Sequence, residues 1–228
     1  MPEKSTARSR ARRPALGPER ITDAAVALAD RDGLEAVTMR AVAAQLGVEA
    51  MSLYNHVANK EGLLDRMVEH VVGEFDRPTT DGDWKAEMRR RALSAHHVLL
   101  AHPWASLLIL SRVNVGPAML GYVDATIGCL RGAGFSWAMT DHAWNAIDNH
   151  VHGFTLQMLN FPFEPDEYAA AAREYLPMVP PDTYPHLNGM TQEIASARHD
   201  GVQDFEFGLT LILDGLERRL PRGRRKRS

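Results

Sequence analysis

The sequence predicts an all-α protein. Apolar residues recur at helical spacing through most of the 228-residue chain. No stretch alternates apolar and polar residues as a half-buried strand does, and no internal repeat is visible. Glycine and proline pairs punctuate the chain between the periodic segments.

The segments follow in order. Pro18 suits the first turn of a helix, and Ile21, Ala24, Ala25, Leu28 and Ala29 repeat behind it as far as Asp32-Gly33. Gly33 is free to take a left-handed conformation there. Thr38 is an N-cap for a helix over 39–46. Gly47 turns the chain, and a third helix is expected from Val48 to His56. Asn59 caps a fourth, expected over Lys60 to Asp76, with Leu63, Leu64, Met67, Val68, Val71, Val72 and Phe75 on its stripe. A break at Pro78–Asp83 precedes helices over Trp84–Ala101 and Trp104–Arg112, a helix that follows Gly116-Pro117 as far as Arg131, and one over Trp137–Asn160 with Ser136 as cap. A short helix near 166–175, a proline-rich loop to Pro185, and helices near 186–199 and 203–219 complete the chain.

Composition limits the function classes. Hydrophobic residues make up 45% of the chain, enough for a sizeable core. No run approaches the ~18 apolar residues of a membrane span, and the basic, polar start does not read as an export signal. The single cysteine, Cys129, excludes an internal disulfide and a cysteine-based zinc finger; a cytoplasmic setting and a buried thiol are expected. The net charge of −3 hides a polarity. Residues 1–20 and 214–228 sum to +4 and +5, leaving −12 on the rest. Positive charge thus gathers in the two ends, which read as a disordered arm (1–17) and tail (221–228) able to attract phosphate.

Residues 38–60, TMRAVAAQLGVEAMSLYNHVANK, carry the most chemistry. Val42, Leu46, Val48, Leu53 and Val57 can form one small shared core, Ala43 permits close helix approach, and Gly47 supplies a sharp turn. The pattern is that of a helix-turn-helix, whose second helix enters the major groove of duplex DNA. The alternative is a pair of ordinary core helices. On the DNA reading, Arg40 can meet guanine or phosphate, Asn55 and Ser52 can bond to base edges, and Ala50 and Met51 can press on thymine methyls. Tyr54, His56 and Lys60 suit phosphate.

Residues 21–68 resemble the N-terminal domain of TetR-type transcriptional repressors. The shared pattern is Ala25 to Leu28, Gly33, Thr38, Arg40, Ala43, Leu46-Gly47-Val48, Leu53-Tyr54, His56-Val57, Asn59-Lys60 and Leu63-Leu64. Leu100-Ala101-His102, Gly134-Phe135-Ser136, Gly153 to Leu156 and Phe205 through Glu217 are similar to the regulatory domain of the tetracycline repressor. The resemblance implies a homodimer on a palindromic operator, released when a small molecule fills the regulatory domain. It also implies DNA contacts from Thr38, Arg40, Met51, Ser52, Tyr54, His56 and Lys60. The chain departs from the tetracycline repressor at Ala50 and Asn55, where that protein has glutamine and tryptophan. It departs again at Asp76 and near Phe161, where the drug–metal ligands fall.

The effector site is therefore expected to be largely apolar or aromatic, with no metal and no resident cofactor. Its expected residues are His102, Trp104, Leu108, Trp144, Asn145, Asp148, His152, Phe154 and Met158. Phe205, Leu209, Ile212, Leu213 and Leu216 are read as a stripe for pairing with a second copy. The expected domains are 18–77 for DNA and 78–220 for ligand and dimer. A constitutive DNA-binding regulator is the first rival. A helical enzyme using His102, Asp148 and His152 is a remoter one, since no nucleophile–base motif or phosphate loop supports it.

Overall fold

The computed structural model describes residues 15–163, 167–199 and 204–220. The basic tail, and all but the last three residues of the basic arm, lie outside them. The described residues form eleven α-helices and no strand. They divide into two compact units that meet between His70 and Val71.

The first unit holds α1 (Pro18–Asp32), α2 (Met39–Leu46), α3 (Ala50–Leu53) and the start of α4 (Lys60–Gly73). Ile21, Ala25, Leu28, Val42, Leu53, Leu63 and Met67 are buried here. Thr38 Oγ1 accepts from the Ala41 amide at 3.1 Å, an N-cap worth about 1 kcal/mol. Gly47 closes α2 in the left-handed region, φ 68° and ψ 39°. The Val48 amide then reaches back to the Ala43 carbonyl at 3.0 Å, which fixes the turn. Asn59 Oδ1 accepts from the Gly62 amide at 2.8 Å at the head of α4.

Two expected helices are shorter here. The third was expected from Val48 to His56, but only Ala50–Leu53 is α-helical. Tyr54-Asn55-His56 continues as a turn, with the His56 and Val57 amides both bonding to Leu53 O at 2.9 Å. Only Leu53 and Val57 anchor this segment, and asparagine favours turns over helix interiors. The fourth helix ends at Gly73 rather than Asp76.

The second unit holds α5 (Trp84–Ala101), α6 (Ala105–Leu110), α7 (Pro117–Ala133), α8 (Trp137–Leu159), α9 (Tyr168–Tyr175), α10 (Pro185–Ala195) and α11 (Phe205–Glu217). Asp83 and Ser136 cap α5 and α8 by accepting from the Ala86 and Met139 amides. Helices α5, α7 and α8 pack on one another, and α11 packs on α8 and α5. Helices α9 and α10 pair separately over a small cluster of Tyr168, Ala172, Ile194 and Ala195. Cys129 is buried and unpaired, and burial pushes its thiol up to about 11.

The stripe on α11 faces inward. Phe205, Leu209, Leu213 and Leu216 are buried within their own chain and Ile212 is half-buried, so the expected pairing surface is already spent on the core. Phe207 and Leu211, 63% and 56% exposed, are the large apolar side chains that α11 turns outward. The approach to α8 is close. A Cβ on Gly208 would lie 2.5 Å from His150 Cε1, so any side chain there would force the His150 ring to move.

Candidate DNA-reading face and regulatory interior

The α2–turn–α3 unit sorts its side chains into two groups. Val42, Ala43, Leu53 and Val57 are buried and hold it together. Arg40, Met51, Tyr54, Asn55 and Lys60 are exposed, Met51 to 75%. Ala50, Ser52 and His56 are half-buried at the edge of the same segment. Thr38 is exposed, but its hydroxyl oxygen is engaged in the cap of α2. Gln45 Nε2 donates to the Ala24 carbonyl at 3.1 Å and ties α2 to α1. The unit therefore offers a compact apolar, amide and cationic surface on a braced short helix, which suits base edges and phosphates.

In the second unit, the expected effector residues fall into separate networks. Phe154 sits in an aromatic cluster between α5, α8 and α11. Its ring centroid lies 5.8 Å from His96, 5.5 Å from His150 and 5.4 Å from Phe205. His102 lies 5.9 Å from the buried Trp104 ring and 3.6 Å from the Glu74 carboxylate. Leu108 is buried on α6, and Met158 is exposed near the end of α8. Asn145 is exposed and spends its amide on Asp141, at 2.8 Å to the carbonyl and 3.1 Å to the carboxylate.

Trp144, Asp148 and His152 occupy the opposite flank of α8. Asp148 and Phe154 are six residues apart, roughly 120° around the helix. Trp144 Nε1 donates to Asp148 Oδ2 at 2.5 Å, and Arg91 Nη2 donates to Oδ1 at 2.7 Å. Arg91 is fully buried, with its guanidinium 4.5 Å above the Tyr122 ring. Burial lowers the His152 pKa, outweighing the opposing pull of Asp148. Among the described residues no partner reaches Arg91 Nε, Arg91 Nη1 or His152 Nδ1, all of which are buried. None of the described residues gathers three or more histidine, cysteine or acidic side chains in a metal-holding group.

Comparison with known proteins places both units. Residues 21–67 match the family model for bacterial regulatory proteins of the tetR family, and residues 78–220 match that for the tetracyclin repressor-like C-terminal domain. The chain belongs to the TetR family. It is 31% identical over 220 residues to the transcriptional repressor DrrR1 of Streptomyces coeruleorubidus, covering 92% of this chain and 80% of that one. It is 27% identical over 205 residues to the class D tetracycline repressor of Escherichia coli, covering 89% of each. The solved structure of Streptomyces coelicolor ActR with (S)-DNPA superposes with a TM-score of 0.75 at 27% identity, covering 90% of this chain and 98% of ActR. ActR has also been solved with actinorhodin.

As a TetR-family transcriptional regulator, the chain carries its helix-turn-helix in α2 and α3 and a tetracycline-repressor-like domain behind it. Sequence reasoning missed Arg91 in that second domain. The signal was present: Arg91 shares a helical face with Met88, Ala92, Ala95 and Leu99, all buried. A buried charge in such a stripe needs a partner of opposite sign, and the half-buried Asp148 supplies it. Among the described residues no helix is long and apolar enough to cross a membrane.

Proposed function

We propose that this TetR-family regulator is a cytoplasmic repressor that grips a palindromic operator as a homodimer and lets go when a small, largely aromatic effector fills the second unit. The observation that carries the reading is the division of labour in α3. Leu53 is fully buried while Met51, Tyr54 and Asn55 on the same short segment are exposed. A short segment held to the core by Leu53 yet exposing Met51, Tyr54 and Asn55 is built to be read against a surface. Arg40, Ala50, Ser52, His56 and Lys60 complete that face, with Thr38 at its edge. One such face makes few phosphate contacts, so a second copy is needed for affinity and for register on a two-fold operator.

Two observations support pairing. Phe207 and Leu211 expose large apolar side chains on α11. The outward face of α8 carries Ala138, Asp141, His142, Asn145, Asn149 and Gly153, a polar row with small residues at both ends that can meet a second helix. Helix α4 runs across the boundary between the units and offers a route by which the effector alters the reading face. The effector reading is supported by ActR, which is solved with two small molecules.

Fluorescence anisotropy of a labelled operator with the full chain, with and without a compound shown to bind it, tests the release step. Bound effector should weaken operator binding about a hundredfold, since a large population shift needs several kcal/mol of differential affinity. A compound that saturates the second unit and leaves operator affinity unchanged contradicts release.

A further inference from the structure

We propose that the Arg91–Asp148–His152 cluster forms the polar end of the effector site and selects an uncharged aromatic molecule bearing a hydroxyl group. This deepens the ligand-released reading above and rests on it.

The cluster joins three helices: Arg91 from α5, Tyr122 from α7, and Trp144, Asp148 and His152 from α8. Exposure divides the roles. The Arg91 side chain is 0% exposed and that of Asp148 is 29% exposed. The accessible group is therefore the carboxylate, and Arg91 is a positioning residue behind it. Arg91 takes one lone pair of Oδ1 and Trp144 takes one of Oδ2. A carboxylate offers about four such positions, so one on each oxygen is left to accept from a ligand. Each oxygen is pinned from behind by a donor on a different helix turn or helix. The carboxylate is thus fixed before any ligand arrives, and the ordering cost of binding is low. His152, one helical turn beyond Asp148, adds a buried Nδ1 that no described residue satisfies.

Charge decides the ligand class. The Arg91–Asp148 pair sums to zero, and burial keeps His152 on the neutral side. An anionic ligand would meet the exposed edge of a carboxylate. A cationic one would meet a carboxylate already neutralised at 2.7 Å and would leave net positive charge in a half-buried place. A neutral hydroxyl avoids both costs: it donates to Asp148 while the half-buried Trp144 indole offers an apolar wall beside it. A site with such an acceptor rejects the analogue that lacks the hydroxyl, because the acceptor loses water without compensation.

Equilibrium dialysis of the full chain at neutral pH against four matched probes tests this: β-naphthol, naphthalene, β-naphthoate and β-naphthylmethylammonium. The proposal expects β-naphthol to bind roughly 10-fold or more tightly than naphthalene, and more tightly than either charged probe. The paired replacement Arg91→Met with Asp148→Asn removes both charges without orphaning one. It should sharply reduce the preference for naphthol over naphthalene, since an amide oxygen is a weaker acceptor than a carboxylate. If that pair fails to fold, the ranking on the unaltered chain decides alone. Equal affinity for naphthol and naphthalene, tighter binding of either charged probe, or no binding of any probe overturns the proposal. Naphthol bound with the expected ranking but without effect on operator affinity upholds the site chemistry and contradicts the release reading instead.

Discussion

Asn55 and Lys60 are both exposed and polar, yet they answer different parts of a duplex. An amide matches the paired donor and acceptor of adenine, whereas an ammonium at the head of α4 matches phosphate on any sequence. Asn55→Ala should therefore change preference at particular operator positions by about 1–3 kcal/mol. Lys60→Ala should weaken all sequences alike and reduce the salt slope by about 1. Equal losses on every duplex from both variants would remove Asn55 from base reading. His96 makes a separate claim about pH. The Thr155 hydroxyl spends its hydrogen on Val151 O at 2.6 Å, so it accepts from His96 Nδ1 at 2.7 Å and fixes the proton of the neutral ring on that nitrogen. The ring also stacks on Phe205, 4.1 Å between centroids. Burial, helped by His97 and His150, lowers its pKa from 6.5 to about 4. Between those values the unfolded chain binds a proton that the folded chain refuses. His96 thus stabilises the fold above pH 6.5, and that stability is lost as pH falls toward 4, by up to roughly 3 kcal/mol. Urea unfolding across that window should show a flatter pH dependence for His96→Gln; an unchanged curve contradicts the assignment.

Helices α8 and α11 meet through Gly208, where any side chain would drive into the His150 ring. That ring also bonds to Phe205 O at 2.9 Å, so it cannot simply swing aside. Gly208→Ala should destabilise the second unit by about 1–3 kcal/mol, read as a lower urea midpoint; an unchanged midpoint would mean that the two helices separate easily. The elements themselves were legible to different degrees. Helices α1, α2 and α8 could be bounded from sequence because Pro18, Thr38 and Ser136 mark their starts chemically. Helix α3 could not, because its length is set by how far two anchors, Leu53 and Val57, hold the backbone. The stripe on α11 was visible as a period, but a period does not say which surface it meets, and that surface is the chain's own core. The polar cluster was half legible. Asp148 and His152 were both among the effector residues expected from sequence, while the partner from α5 needed the packing of three helices to come into view.

Charge over the whole chain is arranged for a paired act. The ends carry most of the excess positive charge, and the −12 balance between them leaves little local attraction for DNA beyond the reading face. A single copy should therefore bind weakly, and two copies held in register should bind well. Leu211→Glu, which puts charge on the outward face of α11, should shift the chain from dimer to monomer in sedimentation and cost at least tenfold in operator affinity. It should do so without altering the helix content. The most direct test of the account is selection of bound sequences from a random duplex library by the full chain, with stoichiometry measured on the winner. The account predicts an inverted repeat whose half-sites lie one helical turn apart or a multiple of it, bound by at least two chains and lost with Leu211→Glu. Enrichment of a single, non-repeated site bound by one chain, or no enrichment at all, would contradict it.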